Sequence, residues 1–82
     1  DVDNVLTRWN IARAYQALEH TKAAVERYRL LLSDLKENPE FLEQYIYLLR
    51  ETGDFEEAKY QAEHYLRLVP DDGIMQELYA SL

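Results

Sequence analysis

Residues Pro39 to Asp72 read PEFLEQYIYLLRETGDFEEAKYQAEHYLRLVPDD, and this stretch decides the fold. It predicts a helix, a tight turn and a second helix. Asn38 is placed to cap the first helix, and Pro39 falls in its first turn, where a missing N–H costs nothing. Leu42, Tyr45, Ile46 and Leu49 recur at helical spacing. Gly53 ends the helix, because glycine enters the left-handed cap conformation freely. Asp54, with Glu57 three residues on, predicts a capping box at the start of the next helix. Ala58, Ala62, Tyr65 and Leu66 line one face of that helix, and Pro70 with Asp71 and Asp72 stops it.

The run Gly53-Asp54-Phe55-Glu56-Glu57-Ala58, the small Ala62 one turn on, and Pro70 resemble one tetratricopeptide repeat. The unit of that family is about 34 residues long and folds as helix–turn–helix. A single repeat cannot bury its apolar face alone, so neighbours are required.

Working back towards the start, Asp3 or Asn4 offers a cap. Val5, Leu6, Trp9, Ile11, Ala12, Ala14, Tyr15 and Leu18 predict a helix to about residues 17–19. A break follows at Glu19-His20-Thr21, with Thr21 as the cap. From Lys22 a second helix carries Ala24, Val25, Tyr28, Leu31, Leu32 and Leu35 and ends near Glu37. Displacing this half by one repeat length of about 34 residues lays Ala24 on Ala58, Ile11 on Tyr45, Ala12 on Ile46, Tyr15 on Leu49, Tyr28 on Ala62 and Leu31 on Tyr65. Most of these positions stay apolar. Three departures stand out: Glu19 replaces the turn glycine, Lys36 the late proline, and Arg8 a large apolar residue. The expected organisation is therefore a first, degenerate repeat at 5–38, a second at 39–72, and a partial third repeat or capping helix at 73–82. In that last segment Asp71 or Asp72 caps, and Ile74, Met75, Leu78, Tyr79 and Leu82 are the apolar positions. The fold class is all-α; the resemblance implies an α–α superhelix, a solenoid whose first helices line a concave face.

Composition supports long helices. Of 82 residues 48% are hydrophobic, and only two are glycine and two proline. Cysteine is absent, which removes disulfides, thiolate metal sites and a cysteine nucleophile. That absence suits a cytoplasmic and a periplasmic setting equally. The longest aliphatic run, Leu30-Leu31-Leu32, is far short of a membrane span, so no membrane insertion by this segment is expected. No signal peptide pattern opens the chain. It begins at Asp1 without an initiator methionine and is read as a piece of a larger protein. The net charge of -7 argues against nucleic acid. Charge is also uneven: residues 5–38 carry six Lys/Arg and four Asp/Glu, whereas residues 39–72 carry three and nine.

No catalytic constellation is visible, and the expectation is no enzyme, no cofactor and no metal. His20 reads as a solvated turn residue and His64 as a helix-surface residue; Ser33 and Ser81 are the only serines. Glu56 and Glu57 lie in a first helical turn, where the helix dipole favours acids. Asp71-Asp72-Gly73 does not supply the alternating oxygen ligands of a calcium loop.

The resemblance places ligand-contacting side chains on the first helices. Carried over, these are Leu6, Trp9, Arg13, Gln16 and Ala17, then Glu40, Glu43, Tyr47, Arg50 and Glu51, then Ile74 and Glu77. Spacings of three and four keep each set on one stripe. Trp9 is either a groove anchor or turned inward to compensate for Arg8. Tyr47 faces the groove or packs beside Trp9. Arg13 and Arg50 contact ligand or pair with Glu43, Glu51 or another neighbour, and such pairs are individually weak. Family members that clamp a terminal carboxylate use a basic residue and asparagines where Trp9, Arg13 and Gln44 stand here, so that clamp is absent. The implied function is a protein–protein interaction module that binds a peptide or partner helix with apolar and basic residues. The alternatives are a stacking unit of a longer scaffold that self-associates through solenoid ends, and a substrate-holding or regulatory segment attached to an enzyme or to export machinery.

Overall fold

The computed structural model describes residues 4–82. Five helices follow one another: α1 (Val5–Ala17), α2 (Thr21–Leu35), α3 (Pro39–Thr52), α4 (Phe55–Leu68) and α5 (Gly73–Ser81). Among the described residues there is no strand, and no helix is long and apolar enough to cross a membrane. The chain divides into two compact units, one ending at Leu35 and one spanning Lys36–Leu82.

In the first unit α1 packs on α2. Asn4 caps α1, its Oδ1 accepting the Thr7 N–H at 2.8 Å, while Asp3 lies outside the described residues. Trp9, Ala12, Ala24, Val25, Tyr28 and Leu31 are buried. Ile11 is 43% exposed although its counterpart Tyr45 is buried. The reason is angular: Trp9 and Ala12 define the stripe facing α2, and Ile11 lies between them in sequence but off that stripe. Leu18 is not part of the helix face but its C-cap, 68% exposed. Thr21 does not cap α2. It is the first helical residue, its hydroxyl reaches the Glu19 carbonyl, and the His20 carbonyl accepts the Ala24 N–H. The helix stops at Leu35, two residues before the expected end.

The turn between α1 and α2 explains how a repeat survives without its glycine. Glu19 adopts φ 62, the left-handed conformation that Gly53 adopts with φ 86. The Glu19 N–H bonds the Gln16 carbonyl and the His20 N–H the Tyr15 carbonyl. In the other turn the Gly53 N–H bonds the Arg50 carbonyl and the Asp54 N–H the Leu49 carbonyl. Both are the paired closing bonds of a Schellman cap. The hydrogen-bond pattern outlives the residue that suits it best.

In the second unit α3 packs on α4, and α4 on α5. Asn38 caps α3 through the Phe41 N–H at 3.1 Å, with Pro39 in the first turn. Six residues of α3 are buried: Phe41, Leu42, Tyr45, Ile46, Leu48 and Leu49. Phe41 and Leu48 extend the expected stripe to a second face. Ala58, Ala62 and Tyr65 of α4 are buried with Gln61, while Leu66 is only half-buried. The capping box at Asp54 does not form. The Asp54 carboxylate makes no cap bond and takes the Thr52 hydroxyl at 2.9 Å, and Glu57 instead accepts the Tyr45 hydroxyl. A buried phenol needs a partner more than an exposed helix end does, because water can serve the latter. Asp72 caps α5 through the Met75 N–H, and Met75 and Leu78 are buried.

Candidate functional site

In the first unit, Trp9, Arg13 and Gln16 meet around Tyr28. Trp9 is 5% exposed and turned into the hairpin core. Burial pushes the Tyr28 hydroxyl's pKa up, while a hydrogen bond from the Trp9 side chain and the nearby Arg13 charge pull it back. The same hydroxyl donates to Gln16 Oε1 at 3.2 Å, part-buried between α1 and α2. The Arg13 guanidinium lies 4.9 Å over the Trp9 ring and also bonds the Asn10 side chain. Three residues assigned to ligand contact thus form a polar closure over the core of their own hairpin. Leu6, by contrast, is 65% exposed, and Ala17 is also exposed.

In the second unit the α3 residues behave differently. Glu40, Arg50 and Glu51 are exposed; Glu43 and Tyr47 are half-buried. The Arg50 guanidinium lies 5.2 Å over the Tyr47 ring, a cation–π pair along one helical turn. Arg50 therefore uses an aromatic face rather than a carboxylate as its near neighbour. With six residues of α3 buried, the side that helix presents carries Glu40, Glu43, Gln44, Tyr47, Arg50 and Glu51.

Sequence reasoning placed Tyr65 on the inner face of α4 and Asp72 at a cap but missed the bond that joins them. The Tyr65 hydroxyl donates to Asp72 Oδ2 at 2.6 Å, and Asp72 Oδ1 caps α5 at the same time. Burial raises the Tyr65 pKa well above the ordinary phenol range, the bond to Asp72 raises it further, and Glu43 and Tyr47 add smaller contributions. Asp72 is held below the usual carboxylate value, first by the Tyr65 hydroxyl and then by the Met75 N–H. One carboxylate thereby ties α4 to α5. A second tie joins the Tyr79 hydroxyl to Glu63 at 2.6 Å, which raises the Tyr79 pKa. On α5 itself Ile74 is 70% exposed and Glu77 exposed. The signal available in the sequence was the tyrosine count, seven in 82 residues, since each buried phenol demands an acceptor.

The histidines also separate. His20 stays exposed in the turn. His64 is tucked in, its Nε2 2.9 Å from the Lys36 carbonyl and 3.8 Å from Glu37, fastening α4 to the residues that lead into α3.

No curated protein matches the chain. A family model described as YpiA-like, C-terminal tetratricopeptide repeats, matches residues 6–72, which takes in α1 through α4. The paired left-handed turns, the small alanines buried on α2 and α4 and this match together make the chain a member of that tetratricopeptide repeat family.

Proposed function

We propose that this chain is a non-catalytic interaction module that takes a peptide or partner helix on the exposed face of α3. Protein interaction or scaffolding is the general role of such repeats. What favours this face is the contrast within one helix: α3 buries six residues, and its other side carries Glu40, Glu43, Gln44, Tyr47, Arg50 and Glu51, with the Arg50 guanidinium over the Tyr47 ring. Aromatic and arginine side chains dominate binding hot spots. Glu40 and Glu43 favour a basic partner, and the Tyr47 ring an apolar residue beside the basic one. Trp9 drops out as an anchor, because reaching a ligand would empty the core of its hairpin.

Selection of random peptides on the immobilised chain tests the proposal. Binders enriched in paired basic and apolar residues are expected. Tyr47→Ala should weaken them about tenfold or more, as a hot-spot truncation does, and Glu43→Lys should abolish the basic preference. Binders indifferent to both substitutions would remove α3 from the interaction.

A further inference from the structure

We infer that the α1–α2 hairpin carries a docking site for the start of α4 in a second copy of this chain. A shallow dent of about 70 Å³ is lined by Arg8, Arg27, Leu30 and Leu31. Leu31 is its buried floor, and Leu30 stands 74% exposed. Both cations rest against neighbours on their own hairpin. Arg8 pairs with Asp34 at 3.6 Å, and the Arg27 guanidinium lies 4.6 Å over the Tyr15 ring. Side chains ordered beforehand lose less freedom on binding. A dent with a leucine floor edged by two arginines fits an apolar side chain flanked by carboxylates.

The chain itself presents that complement. Phe55, the first residue of α4, is 52% exposed, with exposed Asp54 and Glu56 on either side. The wider charge agrees. Residues 4–35 carry five Lys/Arg against three Asp/Glu, and residues 36–82 carry four against eleven. Dent and knob are different surfaces, so each contact joins the dent of one copy to the knob of another. A contact this small is weak and depends on salt. This site is separate from the α3 face, and either can fail without the other.

Sedimentation velocity on the whole chain tests it, run up to about 1 mM, where contacts at the weak end of the affinity scale are populated. Runs at about 0.01 M and about 1 M salt change the reach of charges from roughly 30 Å to roughly 3 Å. The mean mass should rise with concentration at low salt and fall back at high salt. A dent variant, Arg27→Glu with Leu30→Ser, and a knob variant, Phe55→Ser with Glu56→Lys, should each raise the dissociation constant at least about tenfold, or 1.4 kcal/mol. Mixed in equal amounts, the two should form a 1:1 dimer and nothing larger, since one intact dent meets one intact knob. Arg27→Glu and Glu56→Lys alone, at exposed positions, should each weaken association without touching apolar packing, and their mixture should regain it, because the two reversed charges attract. A wild-type chain that stays monomeric, association that persists in both variants, or a mixture without heterodimer overturns the inference.

Discussion

Replacing Glu19 by glycine should stabilise this protein. Glu19 holds φ 62 in the turn that Gly53 makes with φ 86, and both turns close through the same pair of backbone bonds. The left-handed conformation costs an ordinary residue roughly 1–2 kcal/mol. Glycine removes that cost but adds about 0.4–1 kcal/mol of unfolded-state entropy. The net gain is about 0.5–1 kcal/mol, which for a chain of this size raises Tm by roughly 2–8 °C. Little opposes the gain, because Glu19 is exposed and the bond from Thr21 ends on its backbone carbonyl. Thermal and urea unfolding, followed by circular dichroism, measure it. Glu19→Gln separates strain from charge: it removes the carboxylate and keeps the strained backbone, so it should gain nothing, and Glu19→Asn should fall between. The mirror substitution Gly53→Ala should lose about 1 kcal/mol by backbone strain alone, since an added Cβ there meets no atom within 4 Å. A Glu19→Gly protein no more stable than Glu19→Gln would refute the equivalence of the two turns.

Trp9→Ala should destabilise the chain by about 3–5 kcal/mol, as emptying a buried aromatic site does, with loss of helix signal on mild heating; a surface-like cost under about 0.5 kcal/mol would return Trp9 to the binding face. Tyr65→Phe removes the hydroxyl that ties α4 to α5 and should cost about 1 kcal/mol, read by urea midpoint. The pH dependence follows from the same contact. Asp72 is depressed from 3.8, so its contribution is complete above that value and is lost as pH falls through the folded pKa. Tyr65 is raised from 10.0, so its contribution is complete below that value and is lost as pH rises through the folded pKa. Tyr65→Phe should therefore flatten both ends of the stability–pH curve, and unchanged acid and alkaline limbs would break the assignment.

The hairpin fold was legible because each helix announces its ends locally. Asn38, Pro39 and Gly53 do what their backbone chemistry allows, and the small alanines mark where helices approach. The first turn was harder. Glu19 carries no left-handed signature, and only the alignment with Gly53 exposed it. The candidate stripe was legible as spacing but not as exposure. Periodicity places Trp9 and Tyr47 on similar helical stripes. It cannot tell that Trp9 is drawn to Tyr28 across its own hairpin while Tyr47 stays partly exposed. The Asp54–Glu57 box failed for the same reason: Glu57 is claimed by the Tyr45 hydroxyl, twelve residues away, and local capping rules do not see across a turn. Pairings set by tertiary contact, Tyr65 with Asp72 and Tyr79 with Glu63, leave no mark in any short window.

The most direct measurement is an amide chemical-shift map of the labelled chain titrated with a selected basic–apolar peptide. Perturbations should concentrate at Glu40, Glu43, Tyr47 and Arg50 and spare the buried Trp9 indole. Shifts confined to other helices, with α3 silent at saturation, would show that its exposed stripe is only solvated surface.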